Sequence, residues 1–186
     1  MKQIKPIVFI SLLSVFAAPA IADTDKFISW LLDFSRTKGV ELVSNENYQE
    51  ECSACHFAYQ PGLLTGEAWS NLLQADELED HFGENAELDE EVRIELLNYL
   101  KENAAENSYY KRSRQITHSL EGQEAPERIT DVRYIRRKHH EIPDNLITEN
   151  EGVRSLSYCD ACHTKAELGI YDDATVNIPN HGAWDD

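Results

Sequence analysis

Apolar residues recur at helical spacing in the first half of this chain. Between residues 25 and 37 they occupy positions i, i+3, i+4 and i+7, which is the pattern of one face of an amphipathic helix. These residues are Phe27, Trp30, Leu31 and Phe34. A second helix is predicted over residues 67–82, with Trp69 facing inward. Gly83 is the predicted signal for the end of this helix.

Acidic residues mark the start of a third predicted helix. Asp89, Glu90 and Glu91 would lie in its first turn, where the helix dipole favours negative charge. The predicted buried face consists of Val92, Leu96, Tyr99 and Leu100. Residues 102–129 are polar and lose this periodicity, which indicates a long connection or a domain boundary.

A short helix ending near His140 is predicted next, with Thr130 or Asp131 as its N-terminal cap. The second half of the chain has no convincing strand pattern, and only residues 116–117 and 176–178 have the character of short extended pieces. The acidic C-terminal tail is irregular. The chain is therefore predicted to be mostly α, with long irregular connections.

Two Cys-x-x-Cys-His motifs use all four cysteines of the chain. They are Cys52-Ser53-Ala54-Cys55-His56 and Cys159-Asp160-Ala161-Cys162-His163. In this motif the two thiols add to the vinyl groups of a haem, and the histidine ligates the iron. The spacing lets one helical turn present both sulfurs to one edge of the porphyrin. The sequence therefore predicts two covalently bound haems c in a small helical protein with two haem-bearing halves.

Other uses of paired cysteines fit this sequence less well. A zinc site of four cysteines usually spaces its two pairs about 15–20 residues apart, whereas more than a hundred residues separate these pairs. A thioredoxin-like redox motif needs a βαβ context. Structural disulfides form in exported proteins, but they would leave the histidine after each pair unexplained.

Residues 1–22 have the pattern of a secretory signal peptide. Lys2 and Lys5 precede an apolar core, and Ala20-Ile21-Ala22 matches a cleavage site. The core is shorter than the roughly 20 residues that a transmembrane helix needs, although an uncleaved anchor is the alternative interpretation. Because c-type haem is generally attached outside the cytoplasm, the sequence predicts a periplasmic protein.

Cleavage of residues 1–22 would leave an N-terminal haem c domain over residues 23–108 and a C-terminal one over residues 109–186. The signal peptide holds two lysines and no acid, so its removal changes the net charge from −17 to −19. Such acidity argues against nucleic acid and anionic membranes as partners, and it fits either a basic protein partner or a simple need for solubility. The core is modest for a chain of this size, so the haems are expected to supply much of the hydrophobic interior.

Eight basic residues lie between Tyr109 and His140, against four acids. They are Lys111, Arg112, Arg114, Arg128, Arg133, Arg136, Arg137 and Lys138. A solvated basic face is one explanation. The other is that some of these arginines pair with haem propionates, since a guanidinium binds a carboxylate through two hydrogen bonds.

The only methionine, Met1, would be removed with the signal peptide. Ligation by histidine on one side and methionine on the other, as in many monohaem cytochromes c, is then excluded for both haems. The sixth ligand must be histidine, a less common donor such as lysine, or nothing.

Five histidines remain outside the two motifs. His81 lies on the predicted second helix and faces apolar packing. His139 shares a helical face with apolar residues, whereas His140 lies beside arginines, so His139 is favoured as a buried ligand. The minor alternatives, in the polar connection and in the tail, are His118 and His181.

Further residues carry a resemblance to a known family. Besides the two haem motifs, they are Pro61-Gly62-Leu63-Leu64, Trp69, the run His81 to Ala86, Leu88-Asp89, Ile129-Thr130, the stretch Tyr134 to Pro143, and Ser155-Leu156. Through them the chain resembles the dihaem cytochrome c family of exported bacterial cytochromes with two bis-histidine haems. This resemblance implies that His81 and His139 are the distal ligands, with His56 and His163 as the proximal ones. Pairing of His56 with His81 and His139 with His163, or the crossed pairing, both remain open.

The resemblance implies a soluble electron-transfer protein between a membrane or quinol-linked donor and a periplasmic acceptor. A small oxygen-binding monohaem cytochrome is a recurrent partner in this family. Ligation by histidine instead of methionine predicts low reduction potentials. Two alternatives are a haem enzyme with one open iron site, similar to a peroxidase or nitrite reductase, and a dihaem subunit of a periplasmic reductase such as nitrate reductase.

Overall fold

The computed structural model describes residues 39–184, which belong to the compact unit Arg36–Asp186. The predicted signal peptide and the helix predicted over residues 25–37 lie outside the described residues. The described part contains seven α-helices, which are α1 Glu46–Cys52, α2 Gly66–Leu72, α3 Ala75–Glu79, α4 Glu90–Glu102, α5 Lys111–Leu120, α6 Arg133–His139 and α7 Cys159–Cys162. The predicted mostly α fold is confirmed.

Short 3-10 turns and one small sheet complete the described part. The turns are Pro61–Leu63, Ala105–Asn107, Ile129–Asp131, Asp144–Leu146, Ala166–Leu168 and Asp173–Thr175. The sheet pairs β1 Asn177–Ile178 with β2 Gly182–Ala183 in antiparallel register, so the extended piece expected at residues 176–178 is present in part. The piece expected at residues 116–117 is helical instead. No helix within residues 39–184 is long and apolar enough to cross a membrane.

The segment predicted as one helix over residues 67–82 is two helices. α2 begins after Thr65, whose hydroxyl accepts a hydrogen bond from the Ala68 N–H. It ends at Leu72, and the carbonyl oxygen of Leu73 accepts a hydrogen bond of 2.8 Å from the Arg93 guanidinium of α4. In a continuous helix this carbonyl oxygen would accept a hydrogen bond from a backbone N–H further along the same helix, and here the Arg93 guanidinium takes that place. A tertiary contact therefore accompanies the break, which the local apolar pattern does not show.

The third predicted helix is confirmed as α4. Leu96 and Leu100 are fully buried on one of its faces, and α4 packs against α2. The Ser44 N–H donates to the Tyr99 hydroxyl at 3.0 Å, which ties the segment before α1 to this helix. α1 itself begins after Asn45, whose side chain caps the Tyr48 N–H at 2.7 Å.

The region read as a polar connection contains a helix, α5. Only a narrow face of α5 is buried, and it includes the polar Ser113 beside Ile116. A Cβ atom on Gly62 would lie 2.5 Å from the Ser113 hydroxyl, so a glycine is needed where the Pro61–Leu63 turn meets α5. A polar residue at a buried position is the physical reason why apolar periodicity misses this helix.

α6 matches the predicted short helix, but its predicted cap is wrong. Thr130 and Asp131 belong to the Ile129–Asp131 turn, and the residue that precedes α6 is Val132. Val132 is fully buried in the core, and the Ser119 hydroxyl of α5 accepts a hydrogen bond of 3.3 Å from the Tyr134 N–H, so a side chain of another helix caps this end.

One apolar core includes residues on both sides of position 108. Leu64 and Leu100 lie in it together with Ile116 and Tyr134. A smaller cluster is centred on Ile147, Val153 and Ile178. The division into haem c domains at residues 23–108 and 109–186 remains a prediction.

Candidate haem sites

The first site is formed by His56 and His81, whose ring centres lie 6.5 Å apart. His56 follows Cys55 after the C-terminal end of α1, and its Nδ1 donates to the Phe57 carbonyl oxygen at 2.8 Å. Its ring stacks on Tyr59, with centres 4.6 Å apart. Because the proton is held on Nδ1, the lone pair of Nε2 is left for a metal.

A tight turn, and not a helix, places His81 opposite His56. The prediction that His81 lies on a helix is wrong, because α3 ends at Glu79. Phe82 and Gly83 both have positive φ, at 57° and 99°. His81 exchanges backbone hydrogen bonds of 2.8 and 3.3 Å with Glu84, as in a two-residue hairpin. Gly83 therefore serves the turn and does not end a helix.

A cavity of about 400 Å³ is lined by both histidines and by Cys52 and Cys55. Most of its other lining residues are apolar, among them Leu64, Trp69, Leu72, Leu73, Leu78 and Leu96. Arg128 also lines it, and its guanidinium lies 3.7 Å from the centre of the Phe82 ring. Burial, with smaller contributions from His56 and Arg128, lowers the pKa of His81 and favours the neutral ring.

The second site is formed by His139 and His163, whose ring centres lie 5.9 Å apart. His139 is the last residue of α6, and its Nδ1 donates to the Ile135 carbonyl oxygen at 2.8 Å. Burial, with smaller contributions from the neighbouring His139 and Arg112, lowers the pKa of His163 to about 4. His163 is therefore neutral at pH 7, which is the form that ligates a metal.

A cavity of about 630 Å³ is lined by these two histidines and by Cys159 and Cys162. Tyr171 lies edge-on to His163, with ring centres 5.2 Å apart. Its hydroxyl donates to the Gln60 side chain at 2.6 Å. Gln60 is 0% exposed and donates in turn to the Ala166 carbonyl oxygen at 2.8 Å. A buried hydrogen-bonded chain therefore connects the segment after the first motif to the wall of the second cavity.

The two pairs of rings have the spacing that a shared iron would need. Metal–imidazole bonds are about 2 Å long, so a metal between two opposed imidazoles places their ring centres about 6 Å apart. Both cavities also lie within the size of clefts that hold ligands of this kind, about 300–1,000 Å³. The residues present therefore fit two haems, each beside its own cysteine pair.

All four cysteines lie in the described part of the chain and are free. Burial raises the pKa of the Cys52 and Cys159 thiols to about 12, with a smaller contribution from neighbouring carboxylates. A thiol with a raised pKa is a poor nucleophile, which argues against a thiol redox centre. No group of three or more potential metal ligands lies together within residues 39–184, so the described cysteines form no zinc site.

The other histidines lie away from both pairs. His140 is exposed, and its Nδ1 atom donates to the Arg137 carbonyl oxygen at 2.9 Å. His118 is exposed beside Glu121, and His181 packs against Trp184. The structure thus brings together the two histidines favoured from the sequence with the two motif histidines, and leaves His140, His118 and His181 outside.

The two cavities share part of their walls. Both are lined by Ile129, Thr130, Ser155, Tyr158 and Cys159. The Tyr59 hydroxyl donates to the Ser157 carbonyl oxygen, which holds the second motif's segment against the first cavity. Cys159, the first attachment cysteine of the second motif, therefore also borders the first cavity.

Several residues of the sites were missed from the sequence. They are Tyr59, Gln60, Arg112 and Tyr171. Tyr59 and Gln60 follow the first motif closely, but nothing in their spacing indicates their partners. No local signal distinguishes Arg112 from the other seven basic residues between Tyr109 and His140.

A helical chain that carries two haem-attachment motifs and two opposed histidine pairs defines the class of dihaem c-type cytochromes. The family described as dihaem cytochrome c matches residues 48–171. The chain belongs to this family, and two covalently attached haems c are its cofactors. Electron transfer is the activity that this membership supports.

Solved structures of the family are similar in sequence and fold. A dihaem cytochrome type c from Shewanella baltica OS155 is 38% identical, with a TM-score of 0.62 over 76% of this chain and 98% of that one. A dihaem cytochrome c from Rhodobacter sphaeroides is also 38% identical, with a TM-score of 0.61 over 70% of this chain and 98% of that one. A comparison with curated proteins gave no match.

Proposed function

We propose that this chain is an electron-transfer protein whose two haems are each held between two histidines. His56 and His81 would bind the iron of the first haem, and His163 and His139 that of the second. The observation that carries this proposal is the separation of the ring centres, 6.5 and 5.9 Å. When bound, each haem supplies a one-electron couple at its iron. Two histidines at each iron would leave neither iron open to a substrate.

The surrounding residues favour low reduction potentials. The Nδ1 atoms of His56 and His139 donate to backbone carbonyl oxygens, which raises the basicity of each ring as a ligand. A more basic ligand stabilises ferric iron, and histidine lacks the potential-raising effect of methionine. Apolar side chains form a large part of both cavity walls, where they would pack against the faces of the haems.

The absorption spectrum with carbon monoxide tests the proposal. Both ferrous haems are expected to give low-spin bands that carbon monoxide leaves unchanged, because each sixth position is occupied. A high-spin band that shifts on addition of carbon monoxide would show an open iron and would contradict the proposal. Such a result would favour the haem-enzyme alternative.

We also propose that the protein works in the periplasm between a membrane or quinol-linked donor and a haem-protein acceptor, such as a small oxygen-binding monohaem cytochrome. Acidic residues support a basic partner at the first cavity, whose lining includes Glu51, Glu84 and Glu127. Electrostatic steering of this kind raises association rates and is screened by salt.

The rate of electron exchange with a small basic cytochrome c is therefore expected to fall at least about tenfold between 10 mM and 200 mM salt, as the Debye length shortens. Stopped-flow absorbance measures this rate. E84Q with E127Q is expected to flatten the dependence, while E149Q with E151Q, which removes two exposed acids outside both cavity walls, serves as the charge control. A rate independent of salt would contradict the proposed steering.

A further inference from the structure

The two haem cavities differ in the charge of their linings. The charged residues of the second cavity are Lys111, Arg112, Arg137 and Lys138 with Asp172 and Asp173. Those of the first cavity are Arg128 with Glu51, Glu84 and Glu127. The second lining is therefore net positive and the first net negative.

Arg112 is the cation held most firmly in the wall of the second cavity. It lies in the first turn of α5, and its guanidinium donates to the Tyr134 hydroxyl at 3.2 Å and to the Tyr171 carbonyl oxygen at 2.9 Å. The guanidinium carbon lies 5.4 Å from the centre of the Tyr171 ring, whose edge faces the proximal His163. A fixed positive charge therefore stands close to the second iron site.

This charge has no acidic partner in the described part of the chain. Arg112 forms no salt bridge with a carboxylate of residues 39–184, and its Nε atom is buried without a hydrogen-bond partner among them. The backbone of Gly39 closes over the side chain, since a Cβ atom there would lie 2.6 Å from Nε. A buried, unpaired donor is costly unless a ligand accepts from it.

The other charges of this lining act more weakly. Four of them are exposed, so water and salt screen them: Lys111, Arg137, Lys138 and Asp173. Asp172 is half-buried, but its carboxylate makes no hydrogen bond within residues 39–184 that would fix it in the cavity. Arg112 therefore dominates the local field.

We propose that Arg112 raises the reduction potential of the second haem above that of the first. Reduction of iron adds one negative charge, which the fixed guanidinium of Arg112 stabilises, whereas the charged residues of the first cavity (Arg128, Glu51, Glu84 and Glu127) are all exposed and act more weakly. The guanidinium needs no contact with the haem for this effect, because its charge acts through the wall of the cavity. This inference rests on the proposed function, because it requires two low-spin haems with separate reduction steps.

Replacement of Arg112 by glutamine tests the inference by redox titration of the loaded protein. R112Q is expected to lower the higher of the two steps, so that the ratio of reduced to oxidised haem at a fixed potential falls at least about tenfold, equivalent to about 59 mV for one electron. The lower step is expected to stay in place. R112K keeps the charge and is expected to retain most of the difference.

Two further variants separate charge from structure. R114Q removes an exposed arginine from the same helix outside both cavities, and both steps are expected to stay unchanged. D172N removes an acid from the second cavity. It is expected to raise the reduction potential of the same step whose potential R112Q lowers. If R112Q moves the lower step, moves both equally, or moves neither, the inference is wrong.

One further variant is needed to assign each reduction step to its haem. In an H81A variant the first haem loses its proposed distal ligand, so the haem that stays low-spin is the second one. Its step is expected to match the higher step of the wild type, which tests the order of potentials even if R112Q fails to load haem. If the potential of this low-spin haem matches the lower step of the wild type, the inference is wrong, while the proposed function still holds. Two high-spin haems in the wild type would instead overturn the proposed function.

Discussion

Replacement of His139 by alanine is expected to turn one of the two haems high-spin and able to bind carbon monoxide, while the other stays low-spin. The ring of His139 faces His163 across 5.9 Å, so its removal opens one axial position beside the second cysteine pair. About half of the haem absorbance should then change, since one of two irons is affected. H81A is expected to give the same result at the first haem. Absorption and electron paramagnetic resonance spectra measure both.

The chain offers a matched control in the neighbouring residue. His140 is exposed and bonds only to the backbone of α6 and, at 3.7 Å, to Glu141, so H140A is expected to keep two low-spin haems. If H140A instead gave a high-spin haem and H139A kept two low-spin haems, the ligand would be His140, and the proposed assignment to His139 would be wrong. In the double variant H81A with H139A, both haems are expected to be high-spin, which would contradict any role for His118 or His181 as a replacement ligand.

Attachment and proximal ligation could be predicted from the sequence because their chemistry requires adjacent residues. Both thiols and the histidine must reach one haem from one turn of the chain, so the spacing in Cys52 to His56 and in Cys159 to His163 is itself informative. The distal histidines have no such constraint. His81 was identified with the help of the family resemblance, and the helical argument for it was wrong.

The turn that carries His81 shows why helical periodicity failed there. Its backbone has positive φ at Phe82, a conformation that a bulky residue adopts only when surrounding structure enforces it. Phe82 is 44% exposed and is covered on one face by Arg128, 46 positions further along the chain. A contact across that distance leaves no pattern in the local sequence.

Apolar periodicity also fails to predict the buried polar residues. Gln60 bonds to residues 106 and 111 positions away, and Ser113 lies on the buried face of a helix that apolar periodicity does not detect. Apolar patterns predict burial by transfer free energy, whereas these residues are buried because the final fold supplies hydrogen bonds or close packing. The same reasoning explains why Arg112 could be counted from the sequence but not placed beside the second site.

The second large expected effect is the loss of cooperative folding when haem is withheld. The two cavities measure about 630 and 400 Å³ and have many apolar side chains in their walls. Without haem these side chains would face water, which removes much of the apolar burial that stabilises the fold. Since a folded domain is stable by only about 5–15 kcal/mol, this loss is expected to prevent cooperative folding.

Protein produced without haem attachment is therefore expected to lose its near-ultraviolet circular dichroism and its cooperative thermal transition while it keeps part of its helical signal. Among variants that lose one haem, the loss of stability is expected to be greater when the larger cavity is the one left empty. C159S with C162S empties the larger cavity, whose wall includes Tyr171 and its bond to Gln60 in the core, and is expected to destabilise the protein more than C52S with C55S. Denaturant unfolding followed by circular dichroism measures the difference. A haem-free chain that unfolds in one sharp transition near the midpoint of the loaded protein would show that the polypeptide core alone holds the fold.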